Sequence, residues 1–296
     1  GVQTTVKDYI NRSISDILNA EINWPFTRAE GSVDAIAGKQ LYSFASIAST
    51  LKYIDYDNVF LMPKDYITNG DFEISGSASI TNWATISGSP AASSKFGNTL
   101  LLTSAKSSQE VEDLIVGKSY VILIQTSGAT LTLDVGTSSG GTQTKTTTLT
   151  IASGNEVLLS EVTFTATATT HYVTFTESAG ATAYVKLVQL AENITPIGLK
   201  YISYEEYSER YRERDSRPDT DKFSDPEFIY TTYNDEIGLS PIPDTSNRTI
   251  KFDYYTSNVD LSAHGDTSII PTRFESVINA RAKYYTYMFR SDVQTA

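Results

Sequence analysis

Between residues 66 and 190 the chain changes character, and that change constrains the fold more than any other feature. Serine, threonine, glycine and alanine take over and charge falls. Short runs then alternate apolar and polar side chains: NTLLLTS, SYVILIQTS, ATLTLDVG, TKTTTLTIAS, NEVLLSEVTFTAT, HYVTFTES and ATAYVKLVQL. A period of two puts successive side chains on opposite faces of a strand, and the Gly/Ser stretches between runs are turn signals. Threonine favours strands, so the polar faces stay β-compatible. Several such strands with glycine-rich turns predict a β-sandwich or jelly roll. The flanks carry helical spacing instead. The sequence therefore predicts an α+β chain: a helical and β-hairpin core, residues 1–65 and 191–296, interrupted by an all-β, jelly-roll-like sandwich over 66–190.

In the first flank Val6, Ile10, Ile14, Ile17 and Leu18 lie on one face of a helix over 4–19, with Thr4 or Thr5 as its cap and Asp8 in the first turns. Pro25 biases Trp24 away from helical backbone. Trp24 and Phe26 then anchor the helix end on a sheet, or Trp24 stacks on a ligand. Ala37-Gly38-Lys39 predicts the turn of a hairpin, and residues 51–61 predict a further strand or strand pair. This segment buries too little apolar surface to stand alone and needs the last third of the chain. There Tyr204, Tyr207 and Tyr211 fall at spacings of three and four, and Glu206 precedes Arg210 by four, the favourable order for a helical pair. The polar stretch SRPDTDKFSDPEF ends that helix. FIYTTYNDEIGLSPIPD predicts a hairpin, and RTIKFDYYT a third strand pairing with the second across the turn at 243–247. After Pro271 a closing helix is expected, with Phe274, Val277, Ile278, Ala282, Tyr285 and Phe289 on its packed face.

Composition excludes several classes. With 35 acidic and 23 basic residues the net charge is -12, which argues against a protein that grips nucleic acid. An acidic wall still lets DNA pass, because it repels phosphate. Arg210, Arg212, Arg214 and Arg217 alternate with Glu213 and Asp215 and form no continuous patch. They read as contacts to passing DNA, as solvated helix charges or as subunit-interface partners. Without cysteine there is no disulfide framework, thiolate nucleophile or cysteine-ligated metal. No run of 18 apolar residues predicts a membrane span. The opening GVQTTVKDY lacks the basic-then-apolar order of a secretory signal, and a start at Gly1 leaves open processing or missing sequence. His171 and His264 have no ligand spacing, and no phosphate-cradling glycine loop or nucleophile-elbow motif occurs. Acidic pairs such as Asp215 with Asp219, or Asp57 with Asp65, are the chance pairs expected of an acidic chain. No enzyme, cofactor or metal is predicted.

Nineteen tyrosines are many, and most lie in the last third. Tyrosine joins large apolar area to a polar tip and is enriched at interfaces. Tyr204, Tyr207, Tyr211, Tyr284, Tyr285 and Tyr287 are the candidates for an interface, against the alternative of a tyrosine-rich core. In the inserted stretch Trp83 and Phe96 are candidates for stacking on a sugar or a partner. Equally, Trp83 fills the sandwich core or caps its end.

The ordered set YINRSISDILNAEINWPFTR (9–28), AGKQLYSF (37–44), LKYI (51–54), DPEFIYTTYNDEIGLSPIPD (225–244), TIKFDYYT (249–256) and IIPTRFESVINARAKYYTY (269–287) resembles the head-to-tail adaptor, or connector, proteins of tailed bacteriophages. That resemblance implies a twelve-subunit ring below the portal, joining it to a tail or nozzle protein, with DNA passing through the centre without sequence recognition. It implies a place in the neck or tail of a virion assembled in the host cytoplasm. The insertion is a departure from the typical adaptor. With ITNGDFE (67–73), TNW (81–83), VGKSYVILIQ (116–125) and AYVKLVQL (183–190), it resembles carbohydrate-binding jelly-roll modules. Those often carry an aspartate for a structural calcium where Lys186 stands here. The implied roles are decoration of the neck or docking of fibres or capsid; the alternative is a glycan-binding tail or fibre-associated module.

Overall fold

The computed structural model describes residues 2–21, 23–73, 80–151, 157–216, 225–263 and 265–289. It divides into two compact units, Gly1–Met62 with Pro196–Ala296, and Pro63–Thr195. The first unit opens with α1 (Val2–Ala20), whose buried side is Ile14 and Leu18 flanked by Ile10 and Ile17. The Trp24 indole N–H donates to the Ile17 carbonyl at 3.1 Å, and its ring stacks on Phe26 at 5.4 Å. The stiff Trp-Pro-Phe element thus folds back on the helix it terminates. Next come β1 (Arg28–Asp34), β2 (Leu41–Ser43), the single turn α2 (Phe44–Ile47) and β3 (Leu51–Pro63). The last is one long strand, not a pair.

The second unit is all β: β4 (Ala84–Ser87), β5 (Ala91–Ser93), β6 (Thr99–Leu102), β7 (Lys106–Val111), β8 (Ser119–Gly128), β9 (Leu131–Gly136), β10 (Lys145–Leu149), β11 (Leu158–Thr165), β12 (His171–Thr176) and β13 (Ala183–Glu192). They form two five-stranded antiparallel sheets, in the orders β10-β9-β12-β7-β4 and β11-β8-β13-β6-β5. Inward side chains of both, among them Leu100, Ile122, Ile124, Leu133, Val173, Phe175, Val185 and Leu190, share one core. Each such side chain contributes roughly 1.5–3 kcal/mol by leaving water. In the TNGDFE stretch Gly70 lies against β13: its carbonyl accepts from Val188 N–H at 2.8 Å, and a Cβ would come within 2.0 Å of the Val188 carbonyl oxygen. Lys186 falls where β13 shifts register against β8, at a bulge, with its side chain partly exposed. The unit's two ends run side by side: Tyr66 N–H donates to the Leu190 carbonyl at 2.8 Å and Leu190 N–H to Asp65 at 3.0 Å.

The chain then re-enters the first unit through β14 (Ile197–Gly198), which pairs with the end of β3, Leu61 opposite Ile197. β15 (Lys200–Tyr201), α3 (Tyr204–Arg210), α4 (Arg212–Ser216), β16 (Phe228–Thr231), β17 (Glu236–Ser240), β18 (Arg248–Thr256) and α5 (Glu275–Phe289) complete it. Ser203 caps α3 by accepting from Glu206 N–H at 3.1 Å. Two four-stranded sheets result, β1-β18-β3-β14 and β15-β16-β17-β2, sharing a core of Tyr42, Ile54, Leu61, Ile229, Leu239, Ile250 and Phe252.

Two expected pairings are corrected. β1 does not pair with β2, and β18 pairs with β1 rather than with β17. Both turns are crossovers between the sheets. Pro241 and Pro243 lack the N–H that would continue the β17 ladder, so the chain leaves that sheet. Gly38, at φ +75°, makes the other crossing, and its N–H donates to the Pro243 carbonyl at 2.8 Å. One hydrogen bond thereby ties the two crossovers together.

Candidate interaction surfaces

α5 packs against α1 around Ile14, Leu18, Ile270 and Ile278. Their clasp is polar. Asp16 accepts from the Tyr285 hydroxyl and from Arg281 Nε and Nη2 at 3.0 and 2.9 Å. The Tyr285 hydrogen bond, the largest cause, holds the Asp16 carboxyl below its ordinary value; burial opposes it, and the Arg281 guanidinium adds to the lowering. Arg12 lies over the Tyr285 ring at 4.4 Å, and Tyr9 stacks on it at 6.3 Å. Tyr285 is therefore a buried internal clasp, which corrects its assignment to an interface with another chain.

The expected packed face of α5 is corrected too. Ile278 and Tyr285 are buried, but Phe274, Val277 and Phe289 are exposed, Val277 to 50% and Phe289 to 74%. Phe274, Val277, Tyr284 and Met288 instead form a second stripe, with Arg281 at its centre, and all four apolar members are exposed. The spacings of three and four were legible in the sequence, but a helix that is apolar on two adjacent faces hides which one is the inner. Tyr287 is also exposed.

α3 and α4 dock on the second sheet. Tyr207 is buried and lies flat on Tyr230, with ring centroids 3.9 Å apart, so it too is core and not interface. Tyr204 and Tyr211 are half-buried around the same cluster. Gln40 Nε2 donates to the Tyr207 hydroxyl at 2.8 Å and to buried Asp215 at 3.2 Å. Arg214 bonds Asp215 at 3.0 Å and Ser240 at 2.8 Å, while Arg210 pairs with Glu206 at 3.1 Å. These two arginines are held within the chain. Arg217, Asp219 and His264 lie outside the described residues. Beyond this cluster an aromatic strip reaches the surface: Tyr201 stacks on Tyr56 at 4.0 Å, Tyr53 meets Tyr56 edge-on, and Tyr233, 77% exposed, donates to Glu205. Burial pushes the Tyr56 hydroxyl up to about 12, so it remains a neutral partner of Thr231.

In the second unit Trp83 is only 7% exposed and packs between Phe72 and Phe175, its indole N–H donating to the Asn69 carbonyl at 3.2 Å. The reading of Trp83 as an exposed stacking platform is corrected: it fills the core. Phe96 is half-buried on the other sheet, edge-on to Tyr184 at 5.6 Å, with Lys95 over both rings. Asp65, one member of the chance acidic pair with Asp57, accepts two backbone N–H groups and is structural. His171 is buried, and burial holds its pKa below the ordinary value. A feature the sequence did not reveal is a cleft of about 380 Å³ on the outward face of the β10-β9-β12-β7-β4 sheet, lined by Asn82, Trp83, Ala84, Ser108, Glu110, Ser139 and Tyr172. Cross-strand register brings Tyr172 opposite Glu110, and no motif spacing encodes that. Among the described residues no group of three His, Cys, Asp or Glu side chains could hold a metal ion, and no helix is long and apolar enough to cross a membrane.

Comparison with solved structures finds similarity to the enzymatically active domain of tailspike protein 4 of bacteriophage CBA120, at 14% identity and a TM-score of 0.35 over 43% of this chain and 21% of that one. The chain thus matches about a fifth of that domain's length. It is also similar to a CBM61 module in complex with β-1,4-galactotriose, at 18% identity and a TM-score of 0.34 over 44% of this chain and 99% of that one. A family 16 carbohydrate-binding module gives 14% identity and a TM-score of 0.33 over 43% and 99%. No curated protein matches. The family model described as SU10 adaptor protein matches residues 144–296, from the start of β10 through the end of the chain. That span is just over half of the sequence, and the chain accordingly belongs to the SU10 adaptor protein family, the head-to-tail adaptors of tailed bacteriophages, as a structural protein of the virion's tail apparatus rather than an enzyme.

Proposed function

We propose that the protein assembles as a closed ring, of twelve subunits by the family resemblance, between the portal and a tail or nozzle protein, with DNA passing through its centre. The observation that carries this is the exposed stripe of Phe274, in the turn leading into α5, with Val277, Tyr284 and Met288 on α5, a helix whose neighbouring face is already packed on α1. Tyr287 extends the stripe, and half-buried Tyr204 and Tyr211 supply a second candidate contact with a neighbour or the portal. Apolar area of this kind marks protein contacts, and a cyclic assembly covers it without growing a filament. The test is the sedimentation mass of the purified chain, alone and with portal protein. A discrete ring species in either case is the expected result; a monomer in both overturns the proposal.

The inserted unit is read as a jelly roll that decorates the neck or docks fibres or capsid. Strand order supports this. Numbering β6 to β13 from one to eight, the sheets run 1-8-3-6 and 2-7-4-5, the order of two interlocked Greek keys. A second reading, glycan binding by this unit, is favoured by the open polar cleft beside Tyr172.

A further inference from the structure

We propose that the cleft over the β10-β9-β12-β7-β4 sheet binds a neutral glycan, with Tyr172 as its platform and Glu110, Asn82 and Ser139 as its hydrogen-bonding rim. This rests on the glycan-binding reading of the inserted unit and moves it away from Trp83 and Phe96. The floor of the cleft is polar but already satisfied: Thr174 donates to Ser108 at 2.9 Å, and neighbouring Thr146 donates to buried Asp134 at 2.9 Å. The rim differs. Among the described residues the side chains of Asn82 and Ser139 make no hydrogen bond, and Glu110 accepts from the Tyr172 hydroxyl at 2.7 Å. That bond holds the half-exposed ring and one carboxylate oxygen in fixed relation, leaving the second oxygen to accept. A carboxylate and an amide are suited to adjacent hydroxyls, since one accepts twice and the other both donates and accepts. An aromatic face beside them offers an apolar surface to the C–H side of a sugar ring.

The position of each group is fixed from below. Asn82 sits at φ +70°, a conformation asparagine tolerates, directly before Trp83, whose indole is locked in the core. Lys106 Nζ donates to the Gly140 carbonyl at 2.8 Å and pins the β9–β10 loop that carries Ser139. The volume, about 380 Å³, suits a small ligand. Charge selects the class. Among the described residues no basic side chain lines the cleft, which disfavours acidic sugars and phosphates. Glu110 is exposed, so its charge is screened by water and attracts a cation weakly, whereas its hydrogen-bonding capacity is undiminished.

The test uses the full-length chain and a panel of neutral trisaccharides of glucose, galactose, mannose or xylose units, read by calorimetry and by ligand-observed NMR. At least one member should bind, and Tyr172→Ala or Glu110→Ala should weaken it tenfold or more. Asn82→Gly removes the amide while keeping the backbone conformation favourable, so its loss of binding is not a folding effect; unchanged thermal unfolding checks this. Phe96→Ala should leave binding intact. If sugar binding survives Tyr172→Ala and Glu110→Ala but is lost in Phe96→Ala, the cleft is wrong while the glycan reading stands. If no panel member binds at millimolar concentration, or only a cationic probe such as tetramethylammonium does, both fall. Ring assembly is measured separately and depends on neither result.

Discussion

Gly238 has no side chain, and the ring of Tyr230 occupies the space where one would stand. A Cβ there would lie 2.0 Å from Tyr230 Cζ, and the ring cannot retreat because Tyr207 is stacked on its other side. Gly238→Ala is therefore expected to destabilise the first unit by about 1–3 kcal/mol, the usual range for overpacking a core. A urea titration should show its transition moving to lower denaturant while that of the second unit stays in place. At Asp16 the effect depends on pH. Hydrogen bonds from Tyr285 and Arg281 favour the ionised form, so the folded pKa lies below the ordinary 3.8. The clasp's contribution is then fully present above 3.8 and is lost as pH falls through the lower, folded value. Amide exchange protection of α1 and α5 should drop across that acid window in the native chain, and Asp16→Asn should already be low above it and show no further acid step.

Elements differ in how plainly the sequence announces them. α1 was legible because Ile10, Ile14, Ile17 and Leu18 share one face and charged residues take the rest. The strands of the second unit were legible because their runs mostly alternate apolar and polar side chains and glycine- or serine-containing turns separate most of them. Sheet membership was not. β1 and β2, like β17 and β18, look like hairpins, since the intervening Gly38 or prolines signal a turn whether the chain doubles back or crosses to another sheet. Only the shared core, with Tyr42 and Ile237 from one sheet against Ile250 and Phe252 from the other, decides between these. The same limit applies to side chains. Trp83, Tyr207 and Tyr285 carry the same chemistry whether they meet solvent or core, and burial is a property of the assembled fold. α5 is the element where this matters most for function. Val277 is half exposed, so Val277→Asp should change subunit stability by no more than ~0.5 kcal/mol, as for a surface site. If the outer stripe is the ring contact, that same change should abolish the ring in sedimentation while circular dichroism and melting stay native. Ile278→Asp, one residue on and buried, should unfold the helix pair instead.

At the scale of the whole molecule, charge and chain path each lead to an expectation. Affinity for duplex DNA scales with the number of phosphates neutralised. The chain carries 35 acidic against 23 basic residues, and Arg210 and Arg214 are already paired with Glu206 and Asp215. Fluorescence anisotropy should accordingly find no submicromolar binding of free duplex by unassembled subunits at physiological salt; steep, salt-sensitive binding would contradict a channel that lets DNA slide. The chain path bears on the insertion. β3 leaves the first unit beside β14, which enters it, with Leu61 opposite Ile197 in an antiparallel pair. Residues 64–66 and 191–196, linked by a short Gly/Ser segment, would join those two strands as a hairpin with a longer loop, and added length in a surface loop costs little. Among the described residues no buried core cluster of the first unit draws on Pro63–Thr195, and the second unit has a cluster of its own. Its ends are tied to each other by the Tyr66–Leu190 and Leu190–Asp65 bonds. A chain lacking 67–190, closed by such a loop, should therefore fold, keep the Asp16–Arg281–Tyr285 clasp and form the same ring. The excised stretch, expressed from Pro63 to Thr195, should unfold cooperatively as a monomer. Failure of the shortened chain to fold would mean that the first unit draws stability from the insertion; a shortened chain that folds but stays monomeric would place part of the ring contact on the insertion itself.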